Sequence, residues 1–429
     1  MIEYVEAADL LNKSIVYIAV SKSKANGIYA RVKRCHPKEI ICVTEEYYND
    51  LLYHIYEKAE SKDTDSNSIF IDSYFGMGFR CNCKYIARYL IDHDSPVDII
   101  WDSTVEPDAF LPKGIRKVIR DTPEYYDAAY GARVYLTNCG PQPFFNKPFG
   151  QYMIDTWHGT GPFKKAGMSV NGMTDKEKES LRHQFSQVDL FISNSKDNTE
   201  MYRESFEFKK EIMECGYPRN DIFFDDQAKI EIRNRLRREL ELAPTQKTVL
   251  YVPTFRDNKE KSSDQYDLDM KTVQNALENR FGDDFRLLYR FHHALYQFGQ
   301  FNDFYENALD VTLYEDIQEL LVLADVLITD YSSVMWDFSL MRKPVFLYQN
   351  DADTYMNDRG FYWPPDEWPY PRAHTTDEMK QIIEQFDDTD YQHRLDDFFA
   401  KDPSYDNGHA SEKVAQRIMD VIEHPERYV

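Results

Sequence analysis

The sequence predicts an α/β protein built from two doubly wound sheets, and three observations carry that expectation. Short β-branched or aromatic runs bounded by turn residues alternate with helical stretches. The alternation occurs in two consecutive series, parted by a charged segment after Pro218. Polar and special residues gather where the strand candidates end, which is where a doubly wound sheet keeps its ligand. Composition agrees, because 42% hydrophobic and 29% charged residues over 429 positions is a globular balance with a sizeable core. The 31 Tyr and 27 Phe against 16 Gly favour a well-packed interior over a Gly-rich barrel.

In chain order, the first series has strand candidates at 14–20, 39–44, 68–72, 97–102, 132–137, 152–157, 189–194 and 211–216. Helical stretches lie between them, among them "KEKESLRHQFSQ" at 176–187. Pro218 and Asn220 then mark a change of domain. A charged helix follows at 228–240, where Glu231 and Arg235 are spaced to pair at i, i+4. The second series has strands at 248–255, 285–292, 308–314, 326–333 and 344–348. The expected division is 1–225 and 226–429. The segment 351–373, with "YWPPDEWPYPR", reads as an ordered loop, and no internal repeat or low-complexity tract appears.

Several classes are excluded. A net charge of −23 (51 Lys+Arg against 74 Asp+Glu) opposes nucleic-acid binding, which relies on clustered cations. No run approaches the roughly 20 apolar residues that span a bilayer. The start, "MIEYVEAADLLNK", lacks the basic and apolar regions of a signal peptide. Cys35, Cys42, Cys81, Cys83, Cys139 and Cys215 are too scattered for a disulfide scaffold. A reduced, cytoplasmic protein is expected. Cys81-x-Cys83 has no second pair at zinc spacing, so no metal and no cofactor is expected. The phosphate-loop pattern of an ATPase does not occur.

Four strand-end loops carry candidate chemistry. "DTWHGTGPFKKAG" (155–167) offers a histidine able to take a proton from a hydroxyl nucleophile, two glycines (Gly159 and Gly161) directly after it, and Lys164 or Lys165 to balance anionic charge. A helix-capping loop would use the same residue types. "LITDYSSVMWDF" (327–338) runs from a strand through hydroxyls into a helix, an arrangement suited to a diphosphate or to an ordinary N-cap. "YVPTFRD" (251–257) and "YRFHHAL" (289–295) each bring a cation or imidazole to the same rim. Arg219, Arg256, Arg290, His292 and Lys165 near strand ends of an acidic protein suggest an anionic ligand.

"WHGT…KKAG", "GYPRND", "YVPTFRD", "RFH" and "ADVLITDYSSVMWDFSLMRKPVFLY" follow one another in the order found in the CDP-glycerol glycerophosphotransferase family, and residues 70–350 resemble it. That family includes teichoic acid glycerol-phosphate primases and polymerases and their ribitol-phosphate relatives. The resemblance implies a GT-B-like fold: two Rossmann-like domains, an acceptor side at 1–225 with the WHGT loop, a CDP-donor side at 226–429, and the active site in the cleft. It implies transfer of a polyol phosphate from CDP-glycerol or CDP-ribitol to a hydroxyl of a lipid-linked polyol-phosphate or polysaccharide acceptor, with release of CMP. His158 would be the base activating the acceptor hydroxyl, and His292 a second essential histidine against the donor diphosphate. Gly159, Thr160, Arg219, Pro253, Thr254, Arg290, Ser332, Ser333 and Asp337 resemble the donor-binding positions. Lys165 and Arg256 join them as cations.

Two departures stand out. The common "WHGTPLKK" is here "WHGTGPFKK", one residue longer before the lysines, and the usual "RxHP" is "RFHHA", with His293 in place of Pro. A lipid-linked acceptor implies peripheral contact with the inner membrane leaflet. "KGIRKVIR" (113–120), with its cations at near-helical spacing, reads as an interfacial patch or as a solvated stretch. Two rival functions share these features: a sugar-nucleotide GT-B glycosyltransferase, for which "DAD" (351–353) would be a metal motif, and a catalytically silent CDP-ligand-binding module.

Overall fold

The structure, a computed structural model, describes residues 15–19, 39–43, 64–104, 111–143, 145–159, 161, 163–254, 267–291, 308–352, 355 and 360–428. The strands of the first half are β1 (Ile15–Ala19), β2 (Glu39–Val43), β3 (Asp65–Asp72), β4 (Asp98–Ser103), β5 (Ile115–Ile119), β6 (Ala132–Thr137), β7 (Tyr152–Asp155), β8 (Leu190–Ser193) and β9 (Glu211–Glu214). Those of the second are β10 (Lys247–Val252), β11 (Phe285–Tyr289), β12 (Leu309–Asp310), β13 (Val326–Thr329), β14 (Val345–Tyr348) and β15 (Arg372–Ala373). They form a seven-stranded sheet, β5-β4-β3-β6-β7-β8-β9, and a six-stranded sheet, β12-β11-β10-β13-β14-β15, with β1 and β2 as a separate pair. Neighbouring strands run parallel, as in β3 with β6 and β10 with β13.

A parallel strand covered on both faces is apolar throughout rather than alternating. The strands "YMID", "LFIS", "VLIT" and "VFLY" are buried at every position, as that rule requires. One face of the first sheet packs Ile69, Ile71 and Leu136 against α1 (Cys81–Asp92), and the other packs Phe70, Tyr135 and Phe191 against Tyr125 and Phe206. The second sheet has its own core, containing Leu250, Leu287, Ile328 and Phe346. The charged helix is α2 (Asp226–Glu239), where Arg235 turns from the expected Glu231 to Glu239 and Glu319. Two short helices follow, α3 (Ile317–Leu323) and α4 (Val334–Ser339). The last, α5 (Ala410–Glu423), returns to the first sheet: Ala410, Val414, Ile418 and Val421 recur at helical spacing and join the core around Ile69 and Leu90.

One of the two readings of "KGIRKVIR", the interfacial patch, is overturned. Residues 113–120 are not a helical patch, because 115–119 form β5, the edge strand paired with β4. In that strand Val118 is buried while Arg116 stays exposed. The arginines are met by carboxylates: Arg116 by Asp98 at 3.2 Å, Arg120 by Asp102 and by Asp72. Among the described residues no helix is long and apolar enough to cross a membrane.

Each sheet has one point where the chain reverses its direction of growth. In the first it lies between β3 and β6, and in the second between β10 and β13. A crevice opens at such points beyond the carboxyl ends of the strands. The two units are tied beside them, where Lys84 of α1 pairs with Asp316 and with Glu319 at 3.1 Å and the Tyr85 hydroxyl donates to Asp316 at 2.8 Å.

Candidate active site

His158 stands just beyond β7, on a loop held by its backbone. Thr156 N–H donates to the Thr137 carbonyl at 2.8 Å, and Trp157 N–H to Asp155 Oδ1 at 2.7 Å. Asn82 Nδ2, from α1, donates to the carbonyls of Thr156 and Trp157. Trp157 has a left-handed φ of 51°, a conformation a bulky residue adopts only when its surroundings compel it. The indole packs on Phe206 and Phe185, and the chain reverses so that the imidazole lies between Trp157 (4.7 Å between centroids) and Tyr74 (5.3 Å).

The imidazole is oriented by an oxygen of the main chain. Nδ1 lies 2.7 Å from the Asn138 carbonyl, which can only accept, so Nδ1 carries the hydrogen and Nε2 keeps its lone pair. Asn138 is itself placed by accepting from Tyr74 N–H at 2.9 Å through its side chain, across the β3–β6 crevice. Burial pushes the His158 pKa down to about 4. The Asn138 bond opposes this, and the charges of Arg219 and Lys164 reinforce it. The ring is therefore neutral and held in one tautomer at physiological pH, with Nε2 able to accept a proton.

Arg219 and Asp337 meet each other. Arg219 Nε donates to Asp337 Oδ2 at 3.0 Å, with both residues 3% exposed, while Nη1 donates to the His158 carbonyl at 2.8 Å and to Cys81 Sγ at 3.2 Å. Asp337 also accepts from Gln318 and Asn220. The pair is thus an ionic strut between the two units that grips the His158 loop. Gly159 is anchored by its carbonyl to the Tyr217 hydroxyl at 2.9 Å.

The longer loop of this chain crosses to the second unit. Phe163 enters the second core against Trp336 and Trp368, and its carbonyl accepts from Tyr362 N–H at 2.9 Å. Gly161 has a φ of +70°, and a Cβ there would come 2.6 Å from Phe163 and 2.7 Å from Trp336, so only glycine fits. Of the two lysines, it is Lys164 whose charge reaches His158. Lys165 donates its N–H to Gly360 and lays its stem along that residue.

On the second sheet, Thr254 and its neighbour Pro253 follow β10 at the other crevice. Thr254 donates from N–H and hydroxyl to Asp330, which follows β13. Ser332 and Ser333 come next, before α4, and the Ser333 side chain does not cap that helix. Arg290, just past β11, takes the Tyr251 carbonyl with its N–H and the Tyr314 carbonyl with Nη1 at 2.5 Å. Burial, then the charge of Arg80, pushes its pKa down to about 10. Thr160, Arg256, His292 and His293 lie outside the described residues, as does Asp353 of "DAD". Asp351 of that motif accepts from the Tyr331 hydroxyl at 3.0 Å. Of the paired thiols, Cys81 serves Arg219 and Cys83 lies in the core.

Tyr74, Asn138, Arg80 and Asp330 escaped the sequence reading. The first and third belong to "DSYFGMGFRCN" (72–82), a strand-to-helix loop of the same kind as the others, with two glycines after an apolar strand. That signal was available. Asn138 acts through its carbonyl, which no residue type advertises.

A family model described as CDP-Glycerol:Poly(glycerophosphate) glycerophosphotransferase matches residues 54–420. The teichoic acid poly(glycerol phosphate) polymerase of Staphylococcus epidermidis is 31% identical over 381 residues, 85% of this chain and 52% of that protein. The same-named polymerase of Bacillus subtilis is 28% identical over 93% of this chain and 54% of its own length. This chain therefore spans about half the length of those two polymerases. It covers 95% of the teichoic acid glycerol-phosphate transferase of Staphylococcus aureus, with 28% identity. Among solved structures, a histidine variant of the wall teichoic acid polymerase TagF soaked with CDPG superposes with a TM-score of 0.77 at 30% identity, covering 88% of this chain and 96% of that one. The GT-B-like arrangement of two parallel sheets is shared with it.

Proposed function

The chain belongs to the CDP-glycerol:poly(glycerophosphate) glycerophosphotransferase family, and from that premise we propose that it transfers a polyol phosphate from a CDP-activated donor to a hydroxyl of a lipid-linked or polymer acceptor, releasing CMP, in teichoic acid or capsule synthesis. The observation that carries this reading is the His158 imidazole, neutral, with Nδ1–H spent on the Asn138 carbonyl and Nε2 left to accept a proton. In the proposed step the acceptor hydroxyl gives its proton to Nε2. Its oxygen forms a bond to the phosphorus that bears the polyol, and the bond from that phosphorus to the CMP oxygen breaks, CMP leaving with the electron pair. Charge stabilisation dominates such transfers. Arg290, Thr254, Ser332 and Ser333 on the second unit, joined by His292, Arg256, Thr160, Gly159, Pro253 and Lys165, are assigned to the donor side. Arg219 and Asp337 belong to that assembly as its strut. The first unit, through residue 225, takes the acceptor.

Glycerol phosphate is the favoured group. Relatives named for glycerol phosphate align over 82–93% of this chain, and those named for ribitol phosphate over 62–63%. A lipid-linked acceptor calls for peripheral contact at the cytoplasmic membrane face. The test is CMP release from CDP-glycerol and CDP-ribitol, each with and without a lipid-linked polyol-phosphate acceptor. Acceptor-dependent CMP from CDP-glycerol, abolished in His158→Ala while donor binding persists, is expected. Undiminished turnover in a folded His158→Ala protein would remove the mechanism, and failure to bind either donor would remove the function.

A further inference from the structure

Arg80 precedes α1 on the first unit and approaches the second at Tyr314–Asp316, the stretch that also anchors Arg290. Gly78 makes the approach possible. Its φ is +96°, and a Cβ on it would lie 2.5 Å from Arg80 Nη2 and 2.6 Å from Glu315 Oε1. The guanidinium and the carboxylate therefore both pack on the bare glycine backbone. Glu315 commits Oε1 to Phe79 N–H at 2.5 Å. The neighbouring Asp316 is taken by Lys84 and Tyr85. Arg80 Nε is buried without a hydrogen-bond partner.

Arg290 holds the Tyr314 carbonyl and feels the positive charge of Arg80. It also feels Tyr74, whose ring lies against His158. Two guanidiniums from opposite units thus converge beside the proposed base, and the nearby carboxylates are shared: Asp316, whose charge also reaches Arg290, is bonded by Lys84 and Tyr85, and Glu315 Oε1 by Phe79 N–H. Partly desolvated like charges repel unless an anion joins them. A guanidinium fork matches phosphate oxygens in a way a point charge does not.

We propose that Arg80 is a second phosphate-binding arginine, closing with Arg290 across the cleft on the diphosphate of a nucleotide-activated donor. This rests on the function proposed above and adds a first-unit residue to donor recognition. It also ties donor binding to the approach of the two units, because Arg80 and Arg290 are carried by different sheets.

The test is calorimetric binding of CDP-glycerol, CDP and CMP to the full chain and to Arg80→Ala and Arg80→Lys. The alanine variant should bind CDP-glycerol and CDP about 10- to 100-fold more weakly, the loss expected for a charge-assisted bond to phosphate, with CMP changed less than about 3-fold. If the alanine variant does not fold, the ratio of CDP to CMP affinity in the lysine variant decides, and it should fall about 3- to 10-fold. An Arg80→Ala protein that binds CDP like the parent overturns the inference. So does an equal loss for CMP and CDP, which would mark a structural role. If the unaltered chain binds no cytidine nucleotide, the functional reading itself fails, and that outcome is distinct from either.

Discussion

Replacing Arg219 by Met keeps the aliphatic stem and removes the guanidinium from a place where the residue is 3% exposed. Asp337 then loses its ion pair and retains the amide donors of Gln318 and Asn220, at 3.0 Å and 3.1 Å. Deleting one partner of a buried pair costs about 3–5 kcal/mol, because the survivor stays desolvated and uncompensated. The two remaining donors put the expected loss near the lower end, about 3 kcal/mol. The freed His158 carbonyl, which had accepted from Nη1 at 2.8 Å, adds about 1 kcal/mol. Asp337→Asn strands the arginine in the same way. The double variant should recover at least about 1.5 kcal/mol of the summed single losses. Urea unfolding of the four proteins, followed by circular dichroism, gives the cycle, with separate steps fitted separately if the two sheets unfold apart. A folded Arg219→Met protein within about 1 kcal/mol of the parent that has lost donor affinity would refute the strut and make Arg219 a ligand contact.

The remaining predictions concern the base and its loop. With its pKa near 4, His158 is neutral above that value, so kcat/KM should show no His158 limb from pH 5 to 8 and should fall only as pH drops through about 4. An acid limb near pH 6.5 that disappears in His158→Gln would contradict the burial argument. Gly161→Ala forces a Cβ against Phe163 and Trp336 at a left-handed φ, so it should cost about 1–3 kcal/mol in thermal unfolding and lower CMP release with the loop displaced. An alanine variant of unchanged stability and turnover would show that the loop does not need its present path.

The elements that sequence reading finds and misses divide by burial. Each strand candidate corresponds to an observed strand, including "YMID" and "VLIT", because a parallel strand covered on both faces is buried throughout and reads as a nearly continuous apolar run. The two strands missed are edge strands, β5 and β15. Ile115–Ile119 exposes Arg116 and half-buries Lys117, and its cations in sequence look like a charged helix face, while Arg372–Ala373 is too short to announce itself. The site divides differently. The strand-end positions of His158, Arg290 and Thr254 were legible from residue type and the apolar runs before them. Arg219 and Asp337 were singled out separately, and their pairing with each other was not legible.

By itself the sequence determined the two series of strands, the family, and which loops bear a histidine, hydroxyls and cations. Those are properties of local pattern and residue type. Only the tertiary structure decided what each group faces: that the Asn138 carbonyl sets the His158 tautomer, that Arg219 spends its charge on Asp337, and that Arg80 arrives beside Arg290. These pairings join residues 20, 118 and 210 positions apart, and the pairing at Asn138 runs through a main-chain oxygen that every residue possesses. Spacing along the chain contains no record of which sheet edge will be brought against which, and that depends on how two cores are packed together.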